Sequence, residues 1–262
     1  MPQLSNEEML RLAGRRFRKH FDHTLAYADV YSLMSSLPAL AGGWIGSYDR
    51  ATPTLLDVSQ NGLDMTFNGA SAITSSGMMT YLSLSSTGYL TRADESLLDF
   101  SGTEANIAEP GFSFMCWVNI TTVTGAQRSV MSKYDTSANR SYQLHVTSTG
   151  ALVFTLSDDG TTTYTVTSSA GDVTAGVWYF LACRYKTEEE MKIWVDFNTT
   201  TETGSVPASI FNSTAQFSLG SQNGSFVLNG SMAYPCLYAC ALSDVQIETF
   251  AAMTSPLPSK RL

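Results

Sequence analysis

The stretch GVWYFLACRYKTEEEMKIWVDF, residues 176–197, sets two apolar runs on either side of a short charged connection. Runs of this kind, rich in aromatic and β-branched residues, read as strands, and KTEEE between them is short enough for a hairpin. Glu188, Glu189 and Glu190 then fall at a solvated tip, where consecutive acids serve solubility rather than paired-carboxylate chemistry.

The same pattern extends in both directions. Strands are expected over Tyr81–Leu84, Phe112–Ile120, Arg128–Lys133, Tyr142–Thr147, Leu152–Leu156, Thr162–Thr167, Trp178–Tyr185, Met191–Phe197, Gln216–Leu219 and Gly230–Cys240. Strands at this spacing, with no amphipathic helices between them, specify an all-β fold: a two-sheet antiparallel sandwich or barrel.

The amino terminus is different. Ser5 followed by Glu8 forms a capping box, and Leu10, Ala13, Phe17, Phe21, Leu25 and Ala28 recur at helical spacing, with Arg11, Arg15, Arg18 and Asp22 largely off that face. Pro38 and the Gly42-Gly43 pair are read as ending the helical stretch. The expected organisation is an amphipathic helical arm over residues 1–45 and one sandwich domain over residues 46–262. The arm has five basic and four acidic residues up to Ala41, against ten basic and nineteen acidic in the remainder.

A net charge of -8 excludes a general nucleic-acid binder, since phosphate neutralisation needs a basic surface. No apolar run approaches the ~18 residues of a spanning helix, and MPQLSNEEMLRLAGRRFRKH lacks the apolar core of a signal peptide. Synthesis in a cytoplasm is therefore expected. The four cysteines, Cys116, Cys183, Cys236 and Cys240, include no CxxC pair, so a zinc site is not expected; Cys116 and Cys183 sit in apolar runs as small hydrophobes.

The order of segments carries more than any one of them. LLDVSQNGLDMTFNGA (55–70), GYLTRADESLLDF (88–100), GFSFMCWVNI (111–120), VTAGVWYFLACRY (173–185), MKIWVDF (191–197) and the run from FSLGSQNG to LSDVQIETF (217–250) follow one another as in laminin-G-like, concanavalin-A-like jelly-roll domains. The chain resembles that family over residues 50–252. The resemblance implies a two-sheet jelly roll, calcium near one rim in many members, and a face or rim loops that bind glycans or proteins. Fold does not fix function, so each feature is checked on the residues.

Glucanases of this fold carry Glu-x-Asp-x-x-Glu on one strand, and no such motif occurs here. Glu190 and Asp196 lie six apart with Ile193 and Trp194 between them, which provides no acid pair. His145 faces outward with Gln143 and Thr147, without an acid or nucleophile beside it in sequence, and is read as a polar face residue. No enzyme activity is expected.

Asp57 and Asn61 in DVSQNG match the Asp and Asn of the family's DxSGNG loop, which makes them the candidate calcium ligands. The family's late Asp is replaced by GSMA, with Met232 and Ala233 at that position. No cofactor other than this calcium is implied. The tryptophans in strands, Trp117, Trp178 and Trp194, are read as core, and Tyr134 and Tyr164 as the residues of a ligand rim.

A lectin-like sandwich without an export signal, preceded by an arm with its own apolar stripe, fits a virion structural protein. The expectation is a capsid decoration, fibre or adhesion appendage at the virion surface, made in the host cytoplasm. Its arm would meet capsid or tail proteins through Leu10, Phe17, Phe21 and Leu25 with Arg15, Arg16 and Arg18, and its jelly roll would meet a glycan or host-surface ligand as monomer or homo-oligomer. The alternative is a free carbohydrate-binding module, assisted by calcium, with the arm as a docked helix.

Overall fold

In the computed structural model, residues 27–46, 48–49, 54–76, 79–100, 110–136 and 138–256 are described. The arm residues Leu10, Arg15, Arg16, Phe17, Arg18, Phe21 and Leu25 lie outside them. Helix α1 (Tyr27–Ser36) leads into β1 (Leu40–Gly43), β2 (Tyr48–Asp49), β3 (Thr54–Leu55), β4 (Met65–Asn68), β5 (Ser71–Ser76), β6 (Met79–Leu84) and β7 (Tyr89–Arg92). After β8 (Gly111–Ile120) come β9 (Arg128–Tyr134), β10 (Arg140–Val146), β11 (Leu152–Leu156), β12 (Tyr164–Thr167), β13 (Trp178–Lys186), β14 (Glu190–Val195) and β15 (Asn198–Glu202). The chain continues through β16 (Phe217–Leu219) and β17 (Gly230–Tyr238) to helix α2 (Asp244–Thr254).

These strands form two antiparallel sheets, a jelly-roll sandwich. One runs β15-β14-β13-β8-β17-β6-β5, with β1 added on β17; the other runs β12-β11-β10-β9-β16-β7-β4-β3-β2. All ten expected strands are present, with ends shifted by up to two residues.

Strand alternation explains why the opening stretch is apolar throughout. In β8, Phe112, Phe114, Cys116, Val118 and Ile120 face the core between the sheets, while Met115 and Trp117 face a second core on the outside. In β13 and β14, Leu181, Cys183, Tyr185, Met191, Ile193 and Val195 point inward, and Phe180, Ala182 and Trp194 point outward. A strand buried on both faces loses the apolar-polar alternation of a half-solvated one.

The second core exists because helices cover the outer face of the eight-stranded sheet. Val30 and Met34, one turn apart on α1, and Ile247, Phe250 and Ala251 on α2 are buried in it. Helix α2 starts at a capping box, in which Ser243 Oγ accepts from Gln246 N and the Gln246 side chain accepts from Ser243 N. Its other end is fastened where Trp117 Nε1 donates to Thr254 Oγ1 at 2.8 Å.

Two corrections concern the amino-terminal boundary. Helix α1 ends at Ser36, but Gly42 and Gly43 belong to β1, which pairs with β17 at Gly42↔Leu237 and Gly43↔Cys236. The sandwich thus begins before residue 46. Gly42 is required by the Trp44 indole, since a Cβ there would lie 2.6 Å from the ring. Trp44 itself is buried, stacks on Phe217 at 5.9 Å and donates from Nε1 to Leu63 O.

Candidate functional site

The two outer faces of the sandwich differ in chemistry. Helices and apolar side chains close the eight-stranded sheet, whereas no described helix packs on the outer face of the nine-stranded sheet. Ladder pairing aligns a row across that face: Thr66, Thr91, Ser218, Ser132, Gln143, Thr155 and Thr165, one from each of seven neighbouring strands. Their strand neighbours Leu90, Phe217, Leu219, Met131, Leu144 and Phe154 belong to the inner core, which fixes the row as outward. A second row runs through Ser129, His145, Val153 and Thr167. A bulge in β9 makes both rows face outward, because Val130 and Met131 turn inward together between Ser129 and Ser132.

Residues 220–229 fold back over the middle of this face. The loop returns through left-handed backbone at Gly220, Asn223, Gly224, Phe226 and Asn229, with φ of 78, 46, 80, 49 and 50°. It is anchored by Gly220 N to Val130 O, Ser129 N to Phe226 O and Ser132 Oγ to Ser221 O, at 2.9, 2.9 and 2.8 Å. Gln222 sits at the centre, its Oε1 accepting from Gln127 Nε2 at 3.0 Å and Gln143 Nε2 at 2.9 Å. Phe226, 45% exposed, stands at the loop's edge.

Among the described residues, three buried polar atoms of these rows have no hydrogen-bond partner: Ser129 Oγ, Ser218 Oγ and His145 Nδ1. An unmade bond at a buried polar atom costs about 1–3 kcal/mol. Burial also lowers the His145 imidazole from 6.5 to about 4, so it is neutral at pH 7. Because the folded value lies below the unfolded one, its contribution to stability is complete above pH 6.5 and is lost as pH falls toward 4. The loss is at most about 3 kcal/mol. Replacing His145 with Gln is expected to shrink the difference in urea midpoint between pH 7 and pH 4.5; an unchanged difference would assign the slope to other groups.

The sequence-derived rim residues Tyr134 and Tyr164 lie on β9 and β12, with β10 and β11 between them. Tyr134 closes β9 and Tyr164 opens β12; between them Arg140 lies over the Tyr134 ring at 5.6 Å and donates to Thr161 O, while Tyr164 Oη donates to Asp158 Oδ2 at 2.9 Å. Asp159, beside them, accepts from the backbone and hydroxyls of Thr161 and Thr162, which holds its carboxyl well below the usual range. Both tyrosines are partly covered: Tyr164 packs against the inner core, and the Tyr134 ring is covered by Arg140 of β10.

Asp57 and Asn61 do not fit a calcium site. Asp57 Oδ1 accepts from Gly43 N and Ser59 N, and Oδ2 accepts from Ser59 Oγ and Leu63 N, so both oxygens are spent on the fold. Asn61 donates from Nδ2 to Leu40 O and Ala41 O. Met232 and Ala233, where the family carries its late Asp, are buried one in each core. The loop ties β1 to the sheet.

Other readings also change. Glu190 is drawn away from the solvated tip into an ion pair with buried Arg184, while Glu189 stays exposed with Lys186. Asp196 Oδ1 accepts from Phe180 N, so neither acid on β14 or its turn is available as a catalytic pair. Trp117 and Trp194 are fully buried, though in the outer core under the helices; Trp178 is half-buried and packs edge-on against Tyr81. All four cysteines are buried thiols outside any disulfide. No described helix is long and apolar enough to cross a membrane.

Fold and site together define a jelly-roll sandwich with one face closed by helices and one polar face whose middle, with Ser129, Ser132, Gln143 and Ser218 buried, lies under the loop of residues 220–229. The chain belongs to the concanavalin A-like lectin/glucanases superfamily, whose laminin-G family model matches residues 84–248. No curated protein matches it in sequence. Among solved structures it is similar to the binding domain of Paraclostridial Mosquitocidal Protein 1, with 11% identity and a TM-score of 0.63 over 84% of this chain and 53% of that one. A botulinum neurotoxin DC binding domain in complex with SialylT gives 15% identity and a TM-score of 0.62 over 83% and 51%. A botulinum neurotoxin type C structure, described as entering cells through two ganglioside molecules, gives 14% and 0.60 over 88% and 53%. The chain spans about half the length of each. Identities this low show a shared fold.

Proposed function

We propose that the protein is a non-catalytic binding module that takes a neutral glycan on the outer face of its nine-stranded sheet. The observation that carries this reading is the outward row of hydroxyls and amides centred on Gln222, with Ser129, His145 and Ser218 unpartnered beneath the loop. Gln127 and Gln222 stay half-buried at the surface of this face, where a ligand can reach them, while Ser129 and Ser218 lie buried below. Amides and hydroxyls donate and accept at once, which suits sugar hydroxyls, and the acidic balance of the chain disfavours anionic polymers. The fold's likeness to binding domains, one solved in complex with SialylT and one described with two ganglioside molecules, supports a binding role in general.

The test is affinity for immobilised neutral polysaccharides. Gln127→Ala and Gln222→Ala are each expected to weaken binding roughly 3–10-fold, the size of one or two hydrogen bonds. Tyr134→Ala should leave affinity unchanged. Loss at Tyr134 with no effect at the glutamines would move the site to the rim.

We also propose that this module is placed on a virion surface through its amino-terminal arm. What supports it is that α1, which follows the arm in sequence, lies over the face opposite the polar one. Co-sedimentation of the full chain with particles, lost on removing residues 1–26, is the corresponding test.

A further inference from the structure

Lysine is almost never fully buried. Lys133 is 0% exposed, and its Nζ lies 2.8 Å from Asp94 Oδ1 and 2.8 Å from Asp99 Oδ1, with Ser213 O as a third partner. Aromatic rings pack around it. Tyr142, directly opposite Lys133 in the ladder, and Phe100, next to Asp99, are both buried, with ring centroids 5.8 Å apart. The two carboxylates differ: the Asp99 side chain is 13% exposed, and that of Asp94 is 33% exposed. With its amide nitrogen turned toward Asp99, Asn212 donates to both Asp99 oxygens at 3.2 and 3.1 Å.

We propose that Lys133 and Asp99 join in an intramolecular isopeptide bond, with Asp94 as the proton relay. A lysine held against a carboxyl group has the effective concentration that amide formation lacks in water. Removing two charges from a buried site also relieves their desolvation.

The step balances without an oxidant or a co-reactant. A proton passes from the Lys133 ammonium to the Asp99 carboxylate, leaving an amine beside a carboxylic acid. The Nζ lone pair attacks Cγ of Asp99 and forms the N–C bond, while the Asn212 amide holds the oxygen on which charge develops. Asp94 accepts a proton from Nζ and delivers it to the departing hydroxyl. The Cγ–O bond breaks, and one water leaves along the partly exposed Asp94 side. The product fastens the segment ending at Asp99 to β9, and it forms whatever the polar face binds.

Mass spectrometry of the intact, denatured full chain tests this directly. The expected mass is that of the sequence less one water, with trypsin failing to cut after Lys133 and that peptide recovered joined to the one containing Asp99. Lys133→Arg and Asp99→Ala should carry their full sequence masses. Asp99→Asn should instead lose ammonia and give the same joined peptide as the wild type, a signature that an ion pair cannot produce. Asp94→Ala should carry its full mass; cross-linking at the wild-type level there would remove Asp94 from the step. A wild-type chain at full sequence mass, cut normally after Lys133, overturns the proposal.

Discussion

Replacing Arg184 with methionine is expected to destabilise the protein by about 3–5 kcal/mol, the usual result of removing one partner from a buried ion pair. Arg184, on β13, is 8% exposed. Its Nε donates to Glu190 Oε1 at 2.9 Å, and Nη1 donates to Leu242 O and to Asp244 Oδ1 at 2.7 Å each. Its guanidinium also lies over the Trp194 ring at 5.1 Å, and Lys192 approaches the same ring and reaches Asp244 Oδ2. The substitution therefore strands Glu190, frees Asp244 from one of its two cations and orphans a buried carbonyl. Because Leu242 and Asp244 flank the cap of α2, the loss should reach the helix. Urea unfolding should show a lower midpoint with the slope preserved, and amide exchange should rise first over residues 244–254. Protection of α2 left intact would show that its apolar face alone holds it.

Asp57→Ala is expected to lose about 3 kcal/mol, because three backbone N–H groups and one hydroxyl give up a charged acceptor. Asp57→Asn should do little better, since its amide nitrogen would be set against donors. Calcium and a chelator should both leave the melting temperature of the wild type unchanged. A rise with calcium that disappears in Asp57→Ala would restore the cation reading and overturn the strut.

These two cases show what sequence reading reaches and where it stops. Apolar runs placed all ten expected strands, because burial of a strand leaves its mark on that strand alone. Strand β15, NTTTE, has no apolar residue, and β5, SAITSS, has few; both are sheet edges where cross-strand hydrogen bonding, absent from composition, makes the strand. Helix α2 was signalled by Ser243 and Gln246, the same cap read at Ser5 and Glu8, but its segment had been absorbed into the family pattern.

At the site, alternation correctly turned Gln143 and His145 outward. The convergence of Gln127, Gln143 and Gln222 was not legible, because it depends on a loop folding back across residues about 80 to 95 positions away in the chain. The role of Asp57 depends on which donors surround it, and one of them, Gly43 N, lies on a strand within the expected arm. Arg184 and Glu190 show the same limit: a glutamate at the end of a charged run looks solvated until the partner across the hairpin is known.

The account turns on which face binds. The most direct measurement is amide chemical-shift mapping of the full chain during titration with a neutral oligosaccharide selected from the polysaccharide panel. The account predicts shifts concentrated at residues 127–132, 143–145, 153–155 and 218–226, with the helix-covered face silent. Shifts confined to Tyr134, Arg140 and Tyr164, or to α1 and α2, would contradict it.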